Sequence, residues 1–170
     1  MHDDGHLSAT SAKQQQHKQP QNPSALLTAA SNRSAEREYL EWEDEEGNAH
    51  LYGGFQYDSG DLVVPRNGNY RVYLQITYEN QEKFSCDDED DELMLIHQVL
   101  NFKESYKKDV VLLSSAYTVN CSMKTWKKSL YTAAVFRLKA NDKLRVFATH
   151  PELMTVNEHQ VFFGAELEAQ

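Results

Sequence analysis

The chain has 170 residues, enough for one domain and a tail, with 40% hydrophobic residues and a formal net charge of −9. That charge argues against nucleic acid and anionic membrane surfaces as partners, since both select clustered Lys and Arg. No apolar run approaches the roughly 20 residues that span a bilayer, so membrane attachment is expected only through a precursor anchor not in this chain.

Residues 1–22 are rich in Gln, Ser, Ala, His and Asp, without an aromatic residue or a hydrophobic period. Such a segment buries too little apolar surface to offset the entropy of ordering, and it is expected to be a disordered stalk or leader ahead of a folded domain over 23–170. Met1 to Thr10 lacks the basic and apolar regions of a signal peptide. The chain reads either as an ectodomain cut from a longer membrane-anchored precursor or as a cytosolic protein, and composition leaves both open.

From Pro23 onward the pattern is β. Ser24–Ala29 and Tyr39–Trp42 are short candidate strands. Asp61–Pro65, then Arg66-Asn67-Gly68, then Tyr70–Tyr78 predicts a hairpin closed by an Asn-Gly turn. Leu93–Phe102 reads as a strand, although Asp91–Leu100 taken alone also fits a helix. Val110–Val119 and Lys128–Leu138 follow, then a tight turn at Asn141-Asp142, then Lys143–His150 and Gln160–Leu167. Short strands at regular turn spacing predict an all-β jelly-roll sandwich.

Alternation along these strands is the most informative signal. Tyr70, Val72, Leu74, Ile76 and Tyr78 form a core face, and Arg71, Tyr73, Gln75 and Thr77 form the opposite one. In the next strong strand, Leu130, Thr132, Ala134, Phe136 and Leu138 oppose Tyr131, Ala133 and Val135. In the last, Val161, Phe163, Ala165 and Leu167 oppose Phe162, Gly164 and Glu166. Three strands therefore place an aromatic ring (Tyr73, Tyr131, Phe162) on the face that should meet water. Soluble monomers rarely expose such a patch. Either a loop of the same chain covers it or a second subunit does, and burial between subunits is the preferred reading.

Signatures of catalysis are missing: the chain has no HEXXH, GxSxG, P-loop or glycine-rich dinucleotide turn. The seven histidines are scattered, and His97, His150 and His159 read as structural groups. No metal or cofactor is expected. The six consecutive acids Asp87 to Glu92 lack the glycine that would shape a calcium loop and read as a solvated loop. Cys86 and Cys121 are too far apart for a CxxC site, leaving one disulfide or two free thiols. Two sequons, Asn32-Arg33-Ser34 and Asn120-Cys121-Ser122, lean with the cysteines toward an extracellular setting.

Five segments, in order, resemble the tumour necrosis factor superfamily homology domain: Pro23 to Thr28, Leu40-Glu41-Trp42, DLVVPRNGNYRVYLQITY, SLYTAAVFRLKANDKLRV and VFFGAELEA. The resemblance implies a jelly-roll subunit in a compact homotrimer, with cysteine-rich receptors of the tumour necrosis factor receptor superfamily bound in the grooves between subunits. It implies axial positions at Tyr73, Tyr131, Ala133 and Phe162. It also implies a disulfide between Cys86 and Cys121, and a receptor anchor at Tyr106 framed by Lys103, Glu104, Lys107 and Lys108. Further receptor contacts are implied for the loops Ala30–Glu38, Glu79–Glu92 and His150–His159. Within the family, Glu104-Ser105-Tyr106 and the cysteine positions resemble the ligands of death receptor 3, for which a soluble decoy receptor would compete. The sequence departs from the family at Leu26 (usually His), Ala133 (commonly Gly), Ala140-Asn141 (usually Gly before the Asp) and Glu166 (normally apolar). Two other readings are a complement C1q-type trimeric head, which usually follows a Gly-x-y stalk that is missing here, and a monomeric jelly-roll binding module.

Overall fold

The computed structural model describes residues 22–31, 37–81 and 92–168. Residues 1–21 of the expected leader, the Asn32 sequon, Cys86 and the acids at 87–91 lie outside the described residues. Strands, in chain order, are β1 (Ser24–Ala29), β2 (Trp42–Glu43), β3 (His50–Tyr52), β4 (Gln56–Asp58), β5 (Asp61–Val63), β6 (Gly68–Glu79), β7 (Glu92–Lys103), β8 (Lys108–Asn120), β9 (Lys127–Leu138), β10 (Lys143–Ala148) and β11 (Phe162–Leu167). They form two antiparallel sheets, β2-β1-β11-β6-β9 with β3 also on β1, and β4-β5-β10-β7-β8. The chain changes sheet at β3–β4, β5–β6, β6–β7, β8–β9, β9–β10 and β10–β11, which is the expected jelly-roll sandwich.

Period-2 alternation decides what lies between the sheets. The inward row of β6, Tyr70, Val72, Leu74, Ile76 and Tyr78, is fully buried. It meets Leu95 and Val99 of β7, Leu144 and Val146 of β10, and Phe163 and Ala165 of β11 in one cluster. Each large aliphatic side chain buried there contributes about 1.5–3 kcal/mol. Aromatic rings close the two ends: Trp42 packs on Phe163 at 5.6 Å and Phe55 meets Tyr70 edge-on at 5.7 Å.

The structure corrects the predicted hairpin. β5 pairs with β4 and β10, whereas β6 pairs with β11 and β9 in the other sheet. Pro65 has no N–H for a ladder, and Val64 is taken up by the β9–β10 connection instead. Its N–H donates to Asp142 O at 2.9 Å, and Asn141 N donates to its carbonyl at 2.8 Å. Asn67 does not close a two-residue turn; its Oδ1 accepts the Ala140 N–H at 2.9 Å. The turn at Asn141-Asp142 is present, with Asn141 in the left-handed region at φ 72°, which asparagine tolerates better than most residues. It too joins strands of different sheets. β3 and β4 went unpredicted because three residues are too few to display a period.

His97 on β7 is the one buried histidine among the described residues, and neither ring nitrogen has a hydrogen-bond partner there. Burial pulls its pKa from 6.5 down to about 4. Because the folded-state pKa is depressed, the neutral ring's stabilisation is complete above pH 6.5 and is lost as pH falls toward 4. The loss approaches about 3 kcal/mol at the acid end. His97→Leu is expected to flatten the fall in Tm between pH 6.5 and 4.5, measured by calorimetry. An equally steep fall in the variant contradicts the assignment.

Candidate functional site

Two surfaces collect the residues that the sequence singles out. The first is the outer face of the β1-β11-β6-β9 sheet. Register places Tyr73 of β6 between Ala133 of β9 and Gly164 of β11, Gln75 between Tyr131 and Phe162, and Arg71 between Val135 and Glu166. The four expected axial residues Tyr73, Tyr131, Ala133 and Phe162 are thus brought together.

Gly164 makes this arrangement possible. A Cβ there would collide with the Tyr73 phenol and the Ala25 carbonyl, so the ring lies across the bare backbone. Its hydroxyl then donates to Ala25 O on β1 at 3.1 Å, and its ring packs against Phe162 with centroids 6.2 Å apart. Burial, followed by the nearby negative charge of Glu166, pushes the Tyr73 phenol up to about 12. Tyr131 accepts a hydrogen bond from Arg71 Nη2 at 3.2 Å and remains 52% exposed, as does Val135. Among the described residues no loop covers Tyr131 or Val135. Tyr52, 47% exposed and stacked on His50 at 4.4 Å, extends the outward aromatic surface at β3, which the sequence reading missed along with β3 itself. Thr77, expected on the same open face, is instead fully buried, with its hydroxyl donating to Gln160 O at 2.9 Å.

The second surface is the tip of the β7–β8 hairpin. Lys103 faces Lys108 in the ladder, and residues 104–107 make the turn. Tyr106 is 79% exposed, Lys107 sits in the left-handed region at φ 48°, and Lys107 and Lys108 project into solvent. Lys103 and Glu104 are engaged differently: Lys103 Nζ pairs with Asp142 Oδ2 at 2.9 Å, and Glu104 Oε2 with Lys143 Nζ at 2.9 Å. Burial raises the Asp142 pKa, but the Lys139 N–H, Lys103 and Asn101 together outweigh it and hold the carboxyl below the usual range.

Beside the hairpin lies an ion cluster that sequence reasoning did not find. Arg145 of β10 makes a two-pronged pair with Asp61 at 2.9 and 3.1 Å and lies over the rings of Tyr39 at 4.7 Å and Phe102 at 4.4 Å. Tyr39 donates to Asp109 Oδ2 at 2.6 Å. The loops expected to add contacts also converge: Ser31, Arg37, Glu79, Pro151 and Thr155 line one cleft of about 620 Å³. At the far end of β8, Cys121 is disulfide-bonded, and exposed Asn120 accepts the Ser122 N–H at 2.9 Å within its sequon. No group of three or more candidate metal ligands occurs among the described residues.

Gly164→Ala is the most direct probe of the first surface. Displacing Tyr73 from Ala25 is expected to lower stability by about 2–3 kcal/mol, measured by chemical denaturation. A variant as stable as the parent means that Tyr73 does not lie across residue 164.

The family model of the TNF (Tumour Necrosis Factor) family matches residues 40–167. Over 141 residues the chain is 33% identical to tumor necrosis factor of Rattus norvegicus, covering 78% of this chain and 57% of that protein. Over 126 residues it is 34% identical to tumor necrosis factor ligand superfamily member 6 of Homo sapiens, covering 74% and 42%. Over 129 residues it is 33% identical to lymphotoxin-alpha of Notamacropus eugenii, covering 74% and 62%. The chain spans about half the length of the curated relatives it matches. Tyr73, Tyr106, Tyr131 and Phe162 all fall inside the matched region, and the chain belongs to the tumour necrosis factor family.

Proposed function

We propose that this chain is the receptor-binding part of a homotrimeric cytokine that gathers cysteine-rich receptors of the tumour necrosis factor receptor superfamily, and that it acts by binding, not by catalysis. The observation that carries this reading is the outer face of the first sheet, where Tyr131 and Val135 are each 52% exposed beside Tyr73 and Phe162. Three copies sharing that face would bury it around one axis and leave three equivalent grooves between neighbours. Three receptors held at once gain effective concentration from the linkage, and signalling follows from their proximity.

In this reading Tyr106 is the anchor. A tyrosine at a hairpin tip buries a large ring at small entropic cost, and Lys107 and Lys108 supply a charged rim. Lys103 and Glu104 act at the base of the tip. The cleft lined by Ser31, Arg37, Glu79, Pro151 and Thr155 supplies a second contact region. A disulfide between Cys86 and Cys121 would join two loops and stabilise the fold by about 3–4 kcal/mol. Asn32 and Asn120 are the proposed glycan sites. The setting is extracellular, as a secreted protein or a cell-surface ectodomain of a type II precursor. The first receptor to try is death receptor 3, on the resemblance to its ligand, the vascular endothelial growth inhibitor, with a soluble decoy receptor as competitor. A complement C1q-type head and a monomeric binding module have no comparable support from the family match.

Two variants separate assembly from recognition. Tyr106→Ala is expected to weaken capture by immobilised receptor ectodomains (death receptor 3 first) about 30-fold, with solution mass unchanged. Unchanged capture removes Tyr106 from the interface. Tyr131→Asp would bury a charge between subunits and is expected to give monomers by size-exclusion chromatography. A variant that still assembles contradicts the axial role.

A further inference from the structure

The tip that carries Tyr106 is held by a turn outside its own hairpin. Asp142 and Lys143 are consecutive residues where β9 passes to β10, and they grip consecutive residues at the entry to the tip. Asp142 Oδ2 receives Lys103 Nζ at 2.9 Å, and Lys143 Nζ reaches Glu104 Oε2 at 2.9 Å. Asp142 is itself fixed, because the same oxygen accepts the Lys139 N–H at 3.0 Å and Asn101 Nδ2 at 3.0 Å, the latter within the buried interior.

The tip has little of its own to define it. Within the turn, Tyr106 N donates to Lys103 O at 3.1 Å and Lys107 N to Glu104 O at a long 3.4 Å. Lys107 holds φ 48°, a conformation that side chains disfavour and that persists where surrounding contacts over-determine it. The two outside pairs hold Lys103 and Glu104, the residues whose carbonyls accept the turn's own hydrogen bonds. They also differ in exposure: the Asp142 side chain is 8% accessible and the Glu104 side chain 68%. Salt therefore weakens the Lys143–Glu104 pair first and leaves the Lys103–Asp142 pair largely intact.

We infer that Asp142 and Lys143 are positioning residues for the Tyr106 tip, so that the β9–β10 turn governs receptor engagement without touching the receptor. The consequence for engagement rests on the reading of Tyr106 as the anchor; the positioning itself does not. Backbone hydrogen exchange on the full chain tests it, comparing the parent with Lys143→Gln, Asp142→Asn and Lys143→Arg. Exchange at residues 105–108 is expected to quicken about fivefold in Lys143→Gln. It is expected to quicken further in Asp142→Asn and to match the parent in Lys143→Arg. The thermal midpoint of Lys143→Gln should stay unchanged, which a general loss of stability would not allow. Exchange at the tip that is unaltered in both Lys143→Gln and Asp142→Asn overturns the inference. If exchange quickens in Lys143→Gln while death receptor 3 ectodomain is captured equally by the parent, this variant and Tyr106→Ala, the positioning holds and the receptor role of Tyr106 fails.

Discussion

A tyrosine lying across a glycine ties the fold of this chain to its proposed assembly. Alternate residues of β6 fill the sandwich, and on its outer face Tyr73 reaches over Gly164 to the Ala25 carbonyl at 3.1 Å. That single hydrogen bond spans β6, β11 and β1, so the middle of the first sheet is braced from outside as well as from the core. The ring also smooths the outer face, covering polar backbone with carbon and leaving Tyr131 and Val135 standing beside it. An apolar surface of this kind on a chain of charge −9 is where a second copy can approach without desolvating many charges. Arg71 and Glu166 lie beside Val135 in the row next to Tyr73 and are the charged groups set into this face.

The tip proposed for recognition is built by different means. The second sheet ends in a hairpin whose tip has little internal bonding, and charged side chains from neighbouring strands fix its surroundings. Asp142, Lys143 and Arg145 belong to one short stretch of chain, yet they reach Lys103, Glu104, Asp61 and the rings of Tyr39 and Phe102. Partly buried pairs with several hydrogen bonds specify geometry more than they add stability. That is the property a loop needs when it must present one exposed ring in a fixed place.

Much of the fold was legible because its signals are local. Alternation in 70–78, 130–138 and 161–167 gave strand positions and the core face directly, since period 2 needs no knowledge of partners. The aromatic residues on the open face were legible for the same reason. The Asn67-Gly68 pair misled because a turn signal says only that the chain bends, not which sheet it enters; Pro65 was the residue that argued against a ladder. Contacts made at long range left no local trace: Arg145 with Asp61, Tyr39 with Asp109, and Tyr73 with Ala25 join segments tens of residues apart. A glycine inside an aromatic strand, Gly164, was the one sequence hint that a ring crosses the backbone there. Thr77 was assigned to water by alternation and is buried because Gln160 and Ser129 satisfy its hydroxyl.

The central claim is that the open aromatic face of the first sheet is shared between copies of this chain. Light scattering on the parent protein at micromolar concentration and physiological salt tests it most directly. A mass near three times 19.6 kDa, stable on dilution, is the predicted result. A mass of 19.6 kDa that persists as concentration rises contradicts the claim and leaves Tyr73, Tyr131 and Phe162 facing water.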